Sequence, residues 1–453
     1  MIQEIKMSNS GTVYIVHHID TEGPLWESIE ELFARLKIIF GVELAPTYEN
    51  LGKLQQGIID LPNGQKKELL VAVDPHTIGF KWNWGMIEEM LDRIMSSDYR
   101  NELPDSFGGG WIYNWHVMDH VGFVPENPRH RDIGYHNIYD FYNNLIKIKN
   151  ADADRIHWHF HPLSFYKQVH ISATCYDNSM PVLHQILCRR LIDKSFFPVV
   201  NRAGFHTERI DSNFFLEQWI PFDCSNQSVE DDSNPKFQKD VSNGRFGDWR
   251  GAPSDWSIYQ PSLYDWRQKG NSNRYIARLL NMKARYRNIN IDEMEKAFRN
   301  AASGENVYVG IANHDFREMS TEINEVRDML KTASEKYPEV KFKYSESVEA
   351  FRNVIGFEKE VIEKNILELK VILKGNTLEV DTLNGEIFGP QPYLAFKTKS
   401  GDYFHDNFDF QIPKQSFSYI FDEYTLPLAK IEAIGIASND KYGHTFIKVL
   451  NIV

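Results

Sequence analysis

From the start of the chain to about residue 355, short apolar runs alternate with longer stretches of helical period. Val13 to His17, Gly110 to His116, Arg155 to Phe160, Phe197 to Asn201, Trp219 to Phe222, Val307 to Ala312 and Val340 to Tyr344 read as strands. Between them, Trp26 to Phe40, Trp84 to Met95, Ile138 to Ile148, Met180 to Asp193, Ile291 to Ala302 and Glu322 to Lys336 place apolar residues three and four apart, on one helix face. Strands joined by helical crossovers predict a parallel sheet. Seven such strands predict a barrel or a wound sheet.

Polar residues gather where these strands end. Asp20 and Glu22 follow the first, His157 to His161 close the third, Arg202 follows the fourth, Asp223 the fifth, and His314 with Asp315 the sixth. In barrel enzymes the C-terminal rim carries the chemistry, because the loops there converge on one pocket. The α/β barrel is therefore the expected fold.

After residue 360 the period changes. Leu367 to Leu373, Thr377 to Val380, Tyr393 to Thr398, Phe408 to Ile412, Ile431 to Ala437 and His444 to Val449 are short strand candidates. Lys374-Gly375-Asn376 and Lys399-Ser400-Gly401-Asp402 are turn sequences between them. The expected organisation is a catalytic unit over residues 1–360 and an antiparallel β-sandwich over 361–453. A lid, an oligomer interface, a sugar-contact module and a purely structural cap are all open for the second unit. Residues 225–260, rich in Asp, Ser, Asn and Gly, predict a long loop near the pocket mouth.

Composition narrows the partners. The 453 residues carry a formal charge of −13, which disfavours phosphate-rich partners such as nucleic acid. No segment has the length and apolarity of a membrane span, and the first residues lack the apolar core of a secretory signal. Three cysteines, Cys175, Cys188 and Cys224, fit a reducing compartment, so a cytoplasmic protein is expected. An aromatic content of 13% fits stacking against sugar rings, and equally a large core.

The densest ligand chemistry is His157-Trp158-His159-Phe160-His161-Pro162. On a strand all three histidines share a face; on a helical turn only His157 and His161 do. Imidazoles converging on one point need only a carboxylate to make an open site for zinc or a similar divalent ion.

Taken in order, these strand ends resemble the motifs of the NodB-like polysaccharide deacetylases, carbohydrate esterase family 4. Asp20-Thr21-Glu22 looks like the first acidic motif, His157 and His161 before Pro162 like the paired histidines, and Arg202-Ala203-Gly204-Phe205 like the arginine motif. Pro221-Phe222-Asp223 and Ala312-Asn313-His314 look like the last two. The resemblance, over about three quarters of the chain, implies a distorted seven-stranded β/α barrel. It also implies a divalent metal, expected to be zinc, held by Glu22, His157 and His161. Asp20 would be general base oriented by Arg202, and His314 general acid supported by Asp223. The adjacent acids of the family are spaced here, so the roles of Asp20 and Glu22 are open to exchange. His159, inside the histidine motif, could reach the metal or the substrate; Phe205 is a candidate substrate contact, as is Trp249, with Trp256 and Trp266 alongside.

The implied activity is removal of an N-acetyl or other small acyl group from a sugar, or a sugar-containing precursor, in surface polysaccharide or lipopolysaccharide assembly. Three alternatives stand beside it: an N-formyl-sugar deformylase, an amidohydrolase using His157 and His159, and a silent carbohydrate-binding barrel. Assembly as a homo-oligomer is open. His116-Val117-Met118-Asp119-His120 has ligand types but sits on the second strand, and reads as packing or substrate contact. His17 and His18 read as buried hydrogen-bonded residues. Cys224 lacks an adjacent base and reads as packing.

Overall fold

Thr12–Thr21 forms the strand that closes the main sheet. In this computed structural model, which describes residues 10–59, 65–120, 135–162, 176–230, 246–285 and 287–452, that strand (β1) is buried along almost its whole length. It is followed by β2 (Tyr113–His120), β3 (Arg155–His161), β4 (Val200–Ala203), β5 (Phe222–Asn226), β6 (Tyr275–Asn281) and β7 (Val307–His314). These pair in parallel in the order of the chain, and β1 then pairs with both β7 and β2, which closes a seven-stranded barrel. An eighth strand, β8 (Lys341–Tyr344), pairs with Thr12–Ile15 at the start of β1, whereas β2 pairs with His17–Thr21 at its end. β8 thus occupies the part of β1 that β2 does not reach.

Seven barrel strands were expected, but not these seven. The run at 340–344 is a strand outside the closed ring, and Tyr275–Asn281 takes its place within it. That segment contains Arg278, a residue that argues against a buried strand until its partners are seen. The guanidinium is 1% exposed, donates to both carboxylate oxygens of Glu293 at 2.6 and 2.9 Å, and gives Nε to the Ser228 carbonyl at 2.8 Å. The fifth strand also moves: Trp219 ends the helix Ile210–Trp219, and the strand begins at Phe222. The helix candidates all form, with ends shifted by a few residues, as in Ile29–Phe40, Met180–Lys194 and Met319–Lys336. Ser28 caps the first of these through a reciprocal pair of hydrogen bonds with Glu31.

Beyond the helix Ser347–Ile355, which the sequence did not suggest, and Lys359–Lys364, which straddles the expected boundary, the chain becomes antiparallel. Its strands are β9 (Glu368–Lys374), β10 (Thr377–Asn384), β11 (Tyr393–Thr398), β12 (Tyr403–Asp406), β13 (Asp409–Ile412), β14 (Ser416–Ile420), β15 (Ile431–Asn439) and β16 (Thr445–Asn451). They form two four-stranded sheets, β13-β14-β10-β9 and β12-β11-β15-β16. Leu378, Val380, Phe396, Phe417 and Ile434 fill the core between them. The β9–β10 hairpin turns at Gly375, whose φ of +57° a side chain would strain.

The sandwich shares a second core with the barrel. Leu183, Leu187 and Leu191 of the helix Met180–Lys194 pack with Tyr393, Ala395 and Ala437. Backbone approaches so closely at Gly435 that a Cβ there would stand 2.9 Å from both Leu191 and Ile192. No helix among the described residues is long and apolar enough to cross a membrane.

Candidate metal and catalytic site

The third strand presents its histidines to the barrel interior at increasing height. Side chains two apart on a strand share a face, but each step of two also climbs roughly 6–7 Å along it. His157 is therefore deep, and His159 and His161 reach the rim. At the rim the Nε2 atoms of His159 and His161 are 3.0 Å apart. The Glu22 Oε1 atom lies 3.8 Å from the first and 3.5 Å from the second. All three residues are 4% exposed or less.

The donor set fits a divalent cation. His159 Nδ1 donates to the Arg202 carbonyl at 2.6 Å, which fixes the tautomer and leaves the Nε2 lone pair aimed at His161 and Glu22. Two imidazole nitrogens and a carboxylate oxygen, within 4.8 Å of one another, could together hold a metal ion. Like-polarity lone pairs held this close in a dry pocket are stable only with a positive centre or a shared proton between them.

His157 does not belong to this group, contrary to the expectation from motif spacing. Its Nε2 lies 3.1 Å from Glu346 Oε1 and 3.2 Å from Asn114 Oδ1, so it is spent as a donor to two acceptors. Glu346 is held below the usual carboxylate range: burial pushes it up, but His157 and the backbone amides of Val348 and Glu349 outweigh that. The pair is a buried structural contact at the foot of the barrel. His159, for which the sequence left contact with metal or with substrate open, stands in the candidate ligand position.

Glu22 is positioned from the end of the neighbouring strand β7. The buried Asp315 carboxylate accepts from the Glu22 amide and the Gly23 amide, each at 3.0 Å, and from the Tyr142 hydroxyl at 2.8 Å. Gly23, at φ +72°, lets the chain turn there. Burial pushes the Asp315 carboxyl up to about 6 even against these three donors. On the other side, Gly204 makes room for His161: a Cβ at 204 would stand 2.5 Å from the imidazole.

Asp20 sits beside the triad, with Oδ2 accepting from Arg202 Nη2 at 3.1 Å and Oδ1 lying 3.6 Å from His159 Nδ1. The other arm of Arg202 donates to His206 Nδ1 at 2.6 Å. Burial and the neighbouring Arg202 hold His206 well below the ordinary imidazole range, and a neutral ring is what an acceptor requires. Facing these groups, His314 Nε2 is 3.8 Å from Asp20 Oδ2 and 3.9 Å from Glu22 Oε1. Lost solvation lowers the His314 ring to about 4, against the pull of Glu22 and Asp20.

Two further expectations are corrected. Asp223 is not the partner of His314. Its carboxylate is buried against Arg274 at 2.5 Å and accepts from Ser225 and Asn201, a closed network below the rim. Trp249 is fully buried, donates Nε1 to the His206 carbonyl at 2.9 Å, and packs with Tyr259, Trp266 and Ile276, so it anchors its loop instead of facing substrate. Trp256 and Trp266 likewise spend their indole donors on backbone carbonyls. Phe205 does line the cavity, with φ +49° and its ring edge-on to His161.

The other side readings hold as packing. Asp119 pairs with Arg190 and accepts from Trp158 Nε1, His17 accepts from Trp111 Nε1, and His18 shares a hydrogen bond with His116. Burial raises the Cys224 thiol to about 12, where it is inert. Cys175, and residues 231–245 of the expected long loop, lie outside the described residues. The cavity above the triad, about 150 Å3, adds residues that sequence reasoning passed over: Gln227, Phe246, Arg285, Phe316 and Arg317 among them. Only Arg317 had a sequence signal, its place three residues past His314.

Comparison with known proteins leaves this geometry to speak for itself. No family model matches the chain, and no curated protein matches it. Among solved structures, the superoxide reductase (1Fe-SOR) from Giardia intestinalis aligns over 20% of this chain and 98% of its own, at 15% identity and a TM-score of 0.15. A likeness at that score carries no argument about fold or chemistry.

Proposed function

We propose that this chain is a metal-dependent hydrolase that removes a small acyl group, N-acetyl in the first instance, from a sugar or sugar-containing precursor. The observation that carries the reading is the buried Glu22–His159–His161 triad flanked by the Arg202-held Asp20 and faced by His314, all at the rim where barrel enzymes build their sites. The resemblance to NodB-like deacetylases supports it, with His159 in place of His157 as ligand.

A divalent ion, proposed to be zinc, would be held by Glu22, His159 and His161 and would supply a Lewis acid that polarises the acyl carbonyl and eases deprotonation of water. Asp20 accepts that proton. Arg202 aims the carboxylate through a charge-assisted hydrogen bond. The leaving amine needs a proton, because an amide anion is a very poor leaving group, and His314 is placed to deliver one. With His314 3.8 Å from Asp20, the proton taken from water and the proton given to nitrogen can be the same. His314 then starts the cycle as a neutral ring, in keeping with its lowered pKa. Water and the amide together yield the carboxylic acid and the free amine.

The test is paired. Asp20→Asn should retain bound metal and lose about 10²–10⁴ in kcat on an N-acetylated or N-formylated sugar, whereas Glu22→Gln should lose the metal. Exchange of those two outcomes would reverse the roles of the acids. Full activity in both variants would end the hydrolase reading.

A further inference from the structure

Asp20 is anchored by one hydrogen bond. Among the described residues its carboxylate accepts only from Arg202, Nη2 to Oδ2 at 3.1 Å, and Oδ1, though buried, accepts no hydrogen bond. The aim of the carboxylate therefore depends on the aim of the guanidinium. Arg202 is 2% exposed, and its Nε has no hydrogen-bond partner among the described residues. Its fork is fixed from the far side, where Nη1 donates to His206 Nδ1 at 2.6 Å and to the Ala203 carbonyl at 3.2 Å. An arginine has several free torsions, and a single ion pair does not hold them all.

His206 is itself held in a conformation that few side chains adopt. Phe205 and His206 stand in succession in the left-handed region, at φ +49° and +53°, which costs a residue with a Cβ roughly 1–2 kcal/mol. Hydrogen bonds from three directions keep the elbow there. The Gly247 amide donates to the Phe205 carbonyl at 2.9 Å, Trp249 Nε1 to the His206 carbonyl at 2.9 Å, and the Thr207 amide to the Gly204 carbonyl at 3.1 Å. A Cβ at 247 would stand 1.7 Å from the His206 carbonyl oxygen, so this approach needs glycine. The ring also hydrogen-bonds to the Ser225 backbone. Strain of this kind persists only where the surrounding structure imposes it, and it clusters at working sites.

We propose that His206 is a positioning residue: the elbow fixes its ring, the ring fixes the Arg202 fork, and the fork aims Asp20 beside Glu22, His159 and His161. The assignment of Asp20 as base comes from the hydrolase reading, on which this inference rests. In this role His206 acts through Arg202 and transfers no proton. Gly247 and Trp249 then serve the chemistry at one remove, by holding the elbow.

The test compares His206→Asn, His206→Leu and His206→Gly in the full-length chain. Asparagine places an acceptor oxygen where Nδ1 now accepts, and it tolerates the left-handed region. Leucine has the same branch without an acceptor. Glycine keeps the backbone conformation at no steric cost, so His206→Gly carries the test if His206→Leu does not fold. Crystal structures are expected to show the hydrogen bond from Arg202 to Asp20 intact in His206→Asn and broken in His206→Leu and His206→Gly. On an N-acetylated sugar, with divalent metal supplied, His206→Leu and His206→Gly should lower kcat about 10–100-fold with KM and bound metal unchanged, and His206→Asn should restore most of the loss. In an Arg202→Gln background His206→Gly should lower kcat no further, because the two residues act as one unit. Survival of the hydrogen bond without the acceptor, an equal loss of kcat in all three variants, a loss of bound metal, or losses that add in the Arg202→Gln background would overturn the inference. The two readings fail separately. A bond broken in His206→Leu and His206→Gly, with no deacylation by the native chain, would keep the positioning role and remove the hydrolase; deacylation by the native chain with the bond unbroken in those variants would do the reverse.

Discussion

At the scale of single residues, the site turns on which histidines converge with Glu22 on a point that could hold a cation and which one faces Glu346. His159 and His161 present lone pairs to one point beside Glu22, whereas His157 donates to Glu346 and Asn114. His159→Ala and His161→Ala are each expected to abolish metal binding, measured by elemental analysis. His157→Ala is expected to keep the metal and to lose about 1–3 kcal/mol of stability, since it removes a buried ring and one of the partners of Glu346, which keeps the Val348 and Glu349 amides. Asp315 provides a separate check at the same scale. Asp315→Asn retains one acceptor where two backbone amides and Tyr142 now converge, so Glu22 should loosen and metal affinity should fall about 10–100-fold, read by competition with a chelator. The run of three histidines marked a candidate metal site in the sequence, and two of the three fall in the group that could hold an ion. It could not say which two of the three, because the choice depends on depth in the barrel and on Glu346, a residue 185 or more positions away in the chain.

Elements supply the precision that those residues need. Gly204, opening the turn after β4, leaves space for the His161 ring, and Gly204→Ala is expected to displace the imidazole and lower metal occupancy while the barrel still folds. The helix Met319–Lys336 begins beside the site and is capped by Glu318. Burial would raise that carboxyl, but the Ser320 hydroxyl, Lys81 and Arg93 outweigh it and hold it at about 2, against 4.5 for the free group. A depressed carboxyl stabilises the fold at pH values above its unfolded pKa, and loses that contribution as the pH falls toward its folded one. With the discount due to a half-exposed group, Glu318→Gln should cost about 1–2 kcal/mol at neutral pH in denaturant melts. The difference from the native chain should close between pH 4.5 and pH 2. Strand and helix positions were legible in the apolar pattern because their periods differ. The strand Tyr275–Asn281 was not, since Arg278 breaks its apolar run and is satisfied by partners distant in the chain, the Ser228 carbonyl and Glu293. Asp223 was misassigned for a related reason: Arg274, its actual partner, is 51 residues away and carries no local signal.

Over the whole molecule, barrel and sandwich share a core and a polar clasp. Asn439 on β15 donates to the carbonyls of Pro198 and Trp219, both at 2.8 Å, next to the apolar contact of Tyr393 with the helix Met180–Lys194. Asn439→Ala leaves two buried carbonyls unsatisfied and should cost about 1–3 kcal/mol in a single melting transition, with barrel and sandwich lost together. The change of period after residue 360 was plain in the sequence; the shared core was not, because its apolar residues serve equally well as ordinary interior of either part. The barrel rim is where these scales meet, gathering Glu22 from just past β1, His159 and His161 from β3, Arg202 from β4 and His314 from β7. An anomalous difference map from crystals of the metal-loaded protein tests that convergence most directly. The account predicts one peak within coordinating reach of Glu22, His159 Nε2 and His161 Nε2. No peak there, or one centred on His157 and Glu346, would contradict it.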